Sequence, residues 1–215
     1  MKKILLFAAI ALLTASASAY ALDIPALSDI TTDSAFPTTN FYGYSDNGWT
    51  GSSPTTQLWA GTWFSGSQNT NTYLQFTLPS TPISSGILSL YNFENDTTPS
   101  SSLVSVYATT TGWNAHTVTW SNQPPTIGSA LATTSVNQNP GWYSWNISSY
   151  VDSLAPGSTF GLVLTSPGTG HSFYALESTT GLGPKLSVTP EPISLVLFGL
   201  GAGVLGLAKF RRKKK

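Results

Sequence analysis

The chain has 215 residues, 8% of them charged and none of them Cys, with nine basic and nine acidic side chains. The formal zero hides a division: residues 20 to 189 carry one Lys, Lys185, against eight carboxylates, a net charge of −7 with no Arg. Such a segment repels phosphate backbones and anionic lipid, which excludes nucleic-acid binding, and without thiolates it excludes Cys-based zinc sites and disulfide staples.

The N-terminus reads as a signal peptide over 1–19. Met1-Lys2-Lys3 is the charged region, Ile4 to Leu13 the apolar one, and Ala17-Ser18-Ala19 the small-residue cleavage site. Ala19-Tyr20-Ala21 offers the same rule two residues on. Residues 20–189, about 170 in all, suffice for one domain held by its own core.

Within that domain short apolar runs alternate among Ser, Thr, Gly, Asn and aromatics, with no long helical period, which predicts an all-β fold. Tyr73 to Leu78 places Leu74, Phe76 and Leu78 on one face before Pro79 ends the strand. Ile87 to Phe93 and Leu103 to Thr109 are read as neighbouring strands joined across Asn95-Asp96-Thr97-Thr98-Pro99. Thr117 to Trp120, Trp142 to Ile147, Phe160 to Thr165, His171 to Glu177 and Pro184 to Val188 follow as strands, with a short helix at Ser148 to Leu154 ahead of Gly157. Strands at this spacing make a two-sheet antiparallel sandwich of jelly-roll type.

The same runs, with Gly112-Trp113, Thr117-Val118-Thr119-Trp120-Ser121-Asn122-Gln123-Pro124, Gly141-Trp142 and the closing Phe173-Tyr174, Glu177 and Pro184-Lys185-Leu186, are similar to DNRLRE domains. Pro37, Asn40, Gly43 and Leu58-Trp59-Ala60-Gly61 fit its front, so the resemblance spans about Asp29 to Val188. It implies a non-catalytic jelly-roll module of a secreted protein, of a kind sometimes classed as carbohydrate-binding. Trp113, Trp120 and Trp142 fall at family positions and are assigned to the core, as is Trp145 on its strand. Two positions depart from the pattern: Asn114-Ala115-His116 stands where the family has an acid, and Leu176 where it often has Arg.

Catalytic constellations are thin. Glu94 and Asp96 flank a turn and read as solvated loop acids, Glu177 as a structural hydrogen-bonding group, and no GxSxG elbow is present. Lyase chemistry on a uronate needs positive charge that one Lys does not supply. The domain is therefore read as non-enzymatic and without cofactor. Asp46-Asn47-Gly48 begins like a calcium loop but lacks the later acidic ligands, so a turn is the reading and a structural calcium the alternative. The remaining signal is aromatic. Tyr42, Tyr44, Trp49, Trp59 and Trp63 cluster in a loop-like stretch, where flat rings beside Asn, Gln and Asp suit the apolar face and hydroxyl rim of a sugar, or pin the loop to the sandwich.

The C-terminal stretch, 190–215, has three parts: Pro190-Glu191-Pro192, an apolar run from Ile193 to Ala208 within a spanning segment taken as 193–210, and the basic Arg211, Arg212, Lys213, Lys214 and Lys215. Sixteen apolar residues give roughly 24 Å of helix, a marginal span, with the basic tail staying on the cytoplasmic side. Gly201, Gly203 and Gly206 spell GxGxxG but without a preceding strand, so no dinucleotide site is read there. The three parts in this order resemble a PEP-CTERM sorting signal. That resemblance implies recognition at Pro190, Glu191 and Pro192 by an exosortase and transient anchoring in the inner membrane. Delivery to the cell surface or extracellular matrix would follow, where extracellular polysaccharide is the expected partner.

Overall fold

A computed structural model describes residues 20–42, 56–95, 101–137 and 139–191, the side chains of 94 and 95 excepted. The signal segment, Tyr44, Asp46 to Gly48, Trp49, Asp96 to Pro99, Pro192, the apolar run and the basic tail lie outside these residues. Among the described residues no helix is long and apolar enough to cross a membrane.

Eleven antiparallel strands of the described residues form two layers. They are β1 (Leu22–Pro25), β2 (Ser28–Asp33), β3 (Gln57–Trp63), β4 (Gln68–Thr77), β5 (Ile83–Asn95), β6 (Ser102–Thr109), β7 (Thr126–Val136), β8 (Gly141–Asn146), β9 (Thr159–Thr165), β10 (His171–Tyr174) and β11 (Lys185–Pro190). The first layer is built on β5, with β8 along one edge and β11 then β10 along the other, and β1 outside β11. The second runs β2-β4-β9-β6-β7. β3 joins the two, pairing with β10 through Gln57 to Ala60 and with β4 from Gly61 onward. Gly61 stands at that change of partner with φ +133, and a Cβ there would sit 2.6 Å from Gly170 Cα, so only Gly fits.

Alternation fills the space between the layers. Leu74 and Phe76 of β4, Leu162 and Leu164 of β9 and Val104 and Val106 of β6 meet Leu88 and Leu90 of β5, Trp145 of β8, Phe173 of β10 and Leu186 and Val188 of β11 in one buried cluster. Trp145 is 0% exposed and donates its indole N–H to the Val104 carbonyl at 2.8 Å, a bond from one layer to the other. A short helix, α1 (Ser148–Asp152), rests Val151 on β5 at Gly86, where a Cβ would approach Val151 to 2.4 Å.

The two outer faces differ. That of the second layer is covered by chain: Ile30, Phe41, Tyr73, Ala115, Val118 and Val163 form a second buried cluster beneath loop residues. Asn40 Nδ2 ties the two covering segments together by donating to the carbonyls of Ala115 and Val118 at 2.7 and 2.6 Å. Tyr73 donates its hydroxyl to Gln123 Oε1 at 3.0 Å.

Three expectations are corrected. Thr117 to Trp120 is not a strand: Asn122 takes the Thr119 backbone N–H at 2.6 Å and donates to the Thr117 carbonyl at 3.0 Å, so a side chain occupies groups a ladder would need, and Trp120–Asn122 turns as a 3-10 helix. β5 and β6 are not paired neighbours, because β5 belongs to the first layer and β6 to the second. Trp142 is not core; it is 41% exposed on the outer face of β8. Trp113 and Trp120 are half-buried, Trp113 against the second cluster, whereas Trp145 is fully buried.

Candidate functional site

The outer face of the first layer carries a row of aromatic side chains. On β5, Leu88, Leu90 and Asn92 are buried while Tyr91 and Phe93, at the alternate positions, are only half-buried. Trp142 is the register partner of Tyr91 on β8, and their rings meet edge to face at 5.5 Å and 90°. On the other side of β5 the Tyr174 ring of β10 stacks on Phe93 at 4.4 Å and 19° and on Tyr91 at 5.9 Å and 29°. Each ring thus fixes the next, which lowers the entropy cost of presenting them together.

A polar border adjoins the row. Lys185 Nζ lies 4.8 Å from the centre of the Trp142 ring and 2.8 Å from Asp23 Oδ2, while Ser187 Oγ donates to Asp23 Oδ1. The Lys185 and Ser187 hydrogen bonds hold the Asp23 carboxyl below the usual carboxylate range. The sole cation of residues 20–189 is therefore balanced where it stands. Ser89 and Ser144 share a hydrogen bond at 2.8 Å beside it.

The aromatics singled out from sequence are differently placed. Tyr42 packs on the exposed His116 with ring centres 3.7 Å apart. Trp59 meets Phe41 edge to face at 6.1 Å, and both Tyr42 and Trp59 border the second cluster. Trp63 is fixed by its indole N–H to Thr70 Oγ1 at 2.9 Å, and its ring lies on Gly170, where a Cβ would come within 2.1 Å of it. All three are half-buried; Tyr44 and Trp49 lie outside the described residues. The structure thus gathers Tyr42 and Trp59 at the second cluster and leaves Trp63 at the far end of β3. Of the row on the first layer, Trp142 and Tyr174 stood out in the sequence as family positions, and none of the four as a binding residue.

Among the described residues, buried titratable groups make no open catalytic pair. Asp29 is 4% exposed and accepts the Leu176 N–H at 2.7 Å; burial first, then the charge of Glu177 beside it, raises its carboxyl well above the ordinary value. The two carboxyls share a hydrogen bond instead of facing each other across a cleft. His171 is 0% exposed, with Nε2 2.5 Å from Ser102 Oγ, and burial holds the imidazole down to about 4. Ser102 Oγ also lies 2.9 Å from the Thr169 carbonyl and 3.1 Å from Ser166 Oγ, so the pair belongs to a buried hydrogen-bond network and does not present a nucleophile to a cleft.

At the end of β11, Pro190 pairs with Ile83 and the Glu191 N–H donates to the Pro82 carbonyl at 2.9 Å.

Comparison with known proteins gives two family matches: carbohydrate-binding module family 96 over residues 20–190 and the PEP-CTERM protein-sorting motif over residues 188–213. No curated protein matches the chain. Among solved structures, two cleaved adhesin domains of Lys-gingipain from Porphyromonas gingivalis are similar at 15% and 17% identity. The alignments cover 79% and 78% of this chain and 95% and 98% of theirs, with TM-scores of 0.31 and 0.37.

Proposed function

Because the chain belongs to carbohydrate-binding module family 96, we propose that it binds a neutral polysaccharide weakly and without catalysis, through the aromatic row on the open face of the first layer. The observation that carries this reading is Trp142, 41% exposed and held in line with Tyr91, Tyr174 and Phe93. Covering ~60 Å² of aromatic surface at ~25 cal/mol per Å² contributes roughly 1.5 kcal/mol. Millimolar affinity needs about 4 kcal/mol, so several rings and some hydrogen bonds must act together. Useful strength then comes from many copies on one repeating polymer.

Neutrality follows from charge. The only cation near the row is already paired with Asp23, and the rest of the domain is acidic, so a uronate or sulfate finds no free partner. The chain's crossings between layers, from β5 to β6, β7 to β8 and β9 to β10, support a jelly-roll topology.

Residues 1–19 act as the export signal in this reading. The sorting-motif match supports recognition of Pro190, Glu191 and Pro192 by an exosortase and delivery to the cell surface; in this reading 193–210 anchors the chain transiently in the inner membrane with Arg211 to Lys215 on the cytoplasmic side, before release to the surface or matrix. A second glycan surface at residues 42–64 is favoured by Phe64, which is 76% exposed beside Trp63.

Affinity electrophoresis in gels containing a neutral glucan or a polyuronate tests the site. Trp142→Ala with Tyr174→Ala is expected to abolish retardation by the neutral polymer while circular dichroism stays native. Unchanged retardation there, with loss in Trp49→Ala/Trp63→Ala, moves the site to residues 42–64; no retardation of the native protein by any polymer makes it a structural matrix component. Asp23→Asn leaves Lys185 uncompensated and is expected to create salt-sensitive retardation by the polyuronate.

A further inference from the structure

The sorting triplet does not begin on a linker. Thr189 and Pro190 are the last residues of β11 and pair with Ser85 and Ile83 of β5. Ser84 Oγ donates to the Thr189 carbonyl at 3.2 Å, and the Glu191 N–H is held by the Pro82 carbonyl at 2.9 Å. Glu191 also lines a cavity of about 210 Å³ with Leu78, Ile83, Asp152 and Leu154. The backbone of the first two motif residues is thus built into the folded domain.

We propose that the folded domain shields Pro190 and Glu191 of the sorting triplet, so that the end of β11 must peel from β5 before the processing enzyme can cut. This rests on the exosortase reading. An enzyme that cuts a peptide bond takes its substrate as an extended segment and reads the backbone groups on both sides of it, and here one side is spent on β5. Opening can be local: β1 reaches only to Val188, so residues 189 to 191 are paired on one side and can fray without disturbing Leu186 and Val188 in the core. Two or three such bonds keep the open form at roughly a tenth of the population or less. Processing is then slower than it would be on a free linker, and the domain folds and stays at the membrane first.

The same geometry separates sorting from binding. Tyr91 and Phe93 lie eight and ten residues along β5 from Ile83, roughly 27 to 34 Å at the rise of an extended strand, so polymer on the row does not cover the cut site.

The test follows release of the full chain in a host that carries an exosortase, by pulse-chase. Six Gly and Ser residues inserted between Thr189 and Pro190 move the triplet off β5 while leaving its distance to the apolar run unchanged. Release about tenfold faster than native is expected. Ser85→Cys with Thr189→Cys links register partners at this end and is expected to stop release until reductant is added. Ile127→Ser, at an exposed position of β7, is expected to be released at the native rate, and Glu191→Ala not at all. Equal rates for the native and inserted chains, with Glu191→Ala still blocked, overturn the shielding; release of Glu191→Ala at the native rate overturns the exosortase reading itself.

Discussion

Trp145→Ala is expected to cost about 3–5 kcal/mol, the largest loss from any single change in the domain. The ring is fully buried between the layers, meets Phe173 edge to face at 6.2 Å, and gives its N–H to the Val104 carbonyl. Truncation leaves a cavity bounded by both sheets and a carbonyl of β6 without that donor. A domain of this size has only about 5–15 kcal/mol of total stability, so the loss takes about a fifth of it or more. Trp145→Phe keeps most of the apolar contact and loses the hydrogen bond, and is expected to cost about 1–2 kcal/mol. Trp142→Ala, three residues away but on the outer face, is expected to cost less than about 1 kcal/mol. Urea unfolding followed by circular dichroism orders the three; equal midpoints for the two Ala variants would mean that Trp145 does not join the layers.

That contrast shows what was legible in the chain and what was not. Side chains an odd number apart on one strand face opposite ways, so Trp142 and Trp145 could not both be core once Trp142 to Ile147 was read as a strand. The family position of Trp142 outweighed that rule in the reading. Leu74, Phe76 and Leu78 are buried as their alternation requires, and the helix after Ile147 forms where Ser148 was expected to start it. β7 escaped notice because Thr126–Val136 has no alternating apolar face: Ile127 is 48% exposed and the strand is held by its ladder to β6. The aromatic row was not legible as a site, since it depends on β10 and β8 flanking the same strand, pairings that span 50 to 80 residues of sequence. Spacing carries no information about such contacts. His171 likewise entered only as the first residue of a strand, yet with Ser102 it clasps β10 of the first layer to β6 of the second.

That clasp fixes the acid response. His171 is neutral in the fold, with its pKa lowered from 6.5 to about 4 by burial among Ser102, Ser166, Thr169 and Phe173. Unfolded chain takes up the proton as pH falls through 6.5, while folded chain refuses it until about 4. Stability is therefore lost across that window, by about 3 kcal/mol if the whole shift is expressed. The Asp29–Glu177 pair acts the other way. Because the Asp29 carboxyl is raised, the fold binds that proton more tightly than the unfolded chain does, and this contribution is recovered as pH falls through the raised value towards 3.8. Substitution separates the two. His171→Gln can still donate to Ser102 but does not titrate, so its thermal midpoint is expected to fall less than that of the native protein between pH 6.5 and 4. Asp29→Asn keeps an acceptor for the Leu176 N–H and offers Glu177 a donor, and is expected to raise the midpoint at pH 8 and leave it little changed at pH 3.5. Parallel profiles for the native and His171→Gln proteins from pH 6.5 to 4 would mean that the imidazole is hydrated in the fold, because only a buried neutral ring makes the unfolded chain the better proton acceptor across that range.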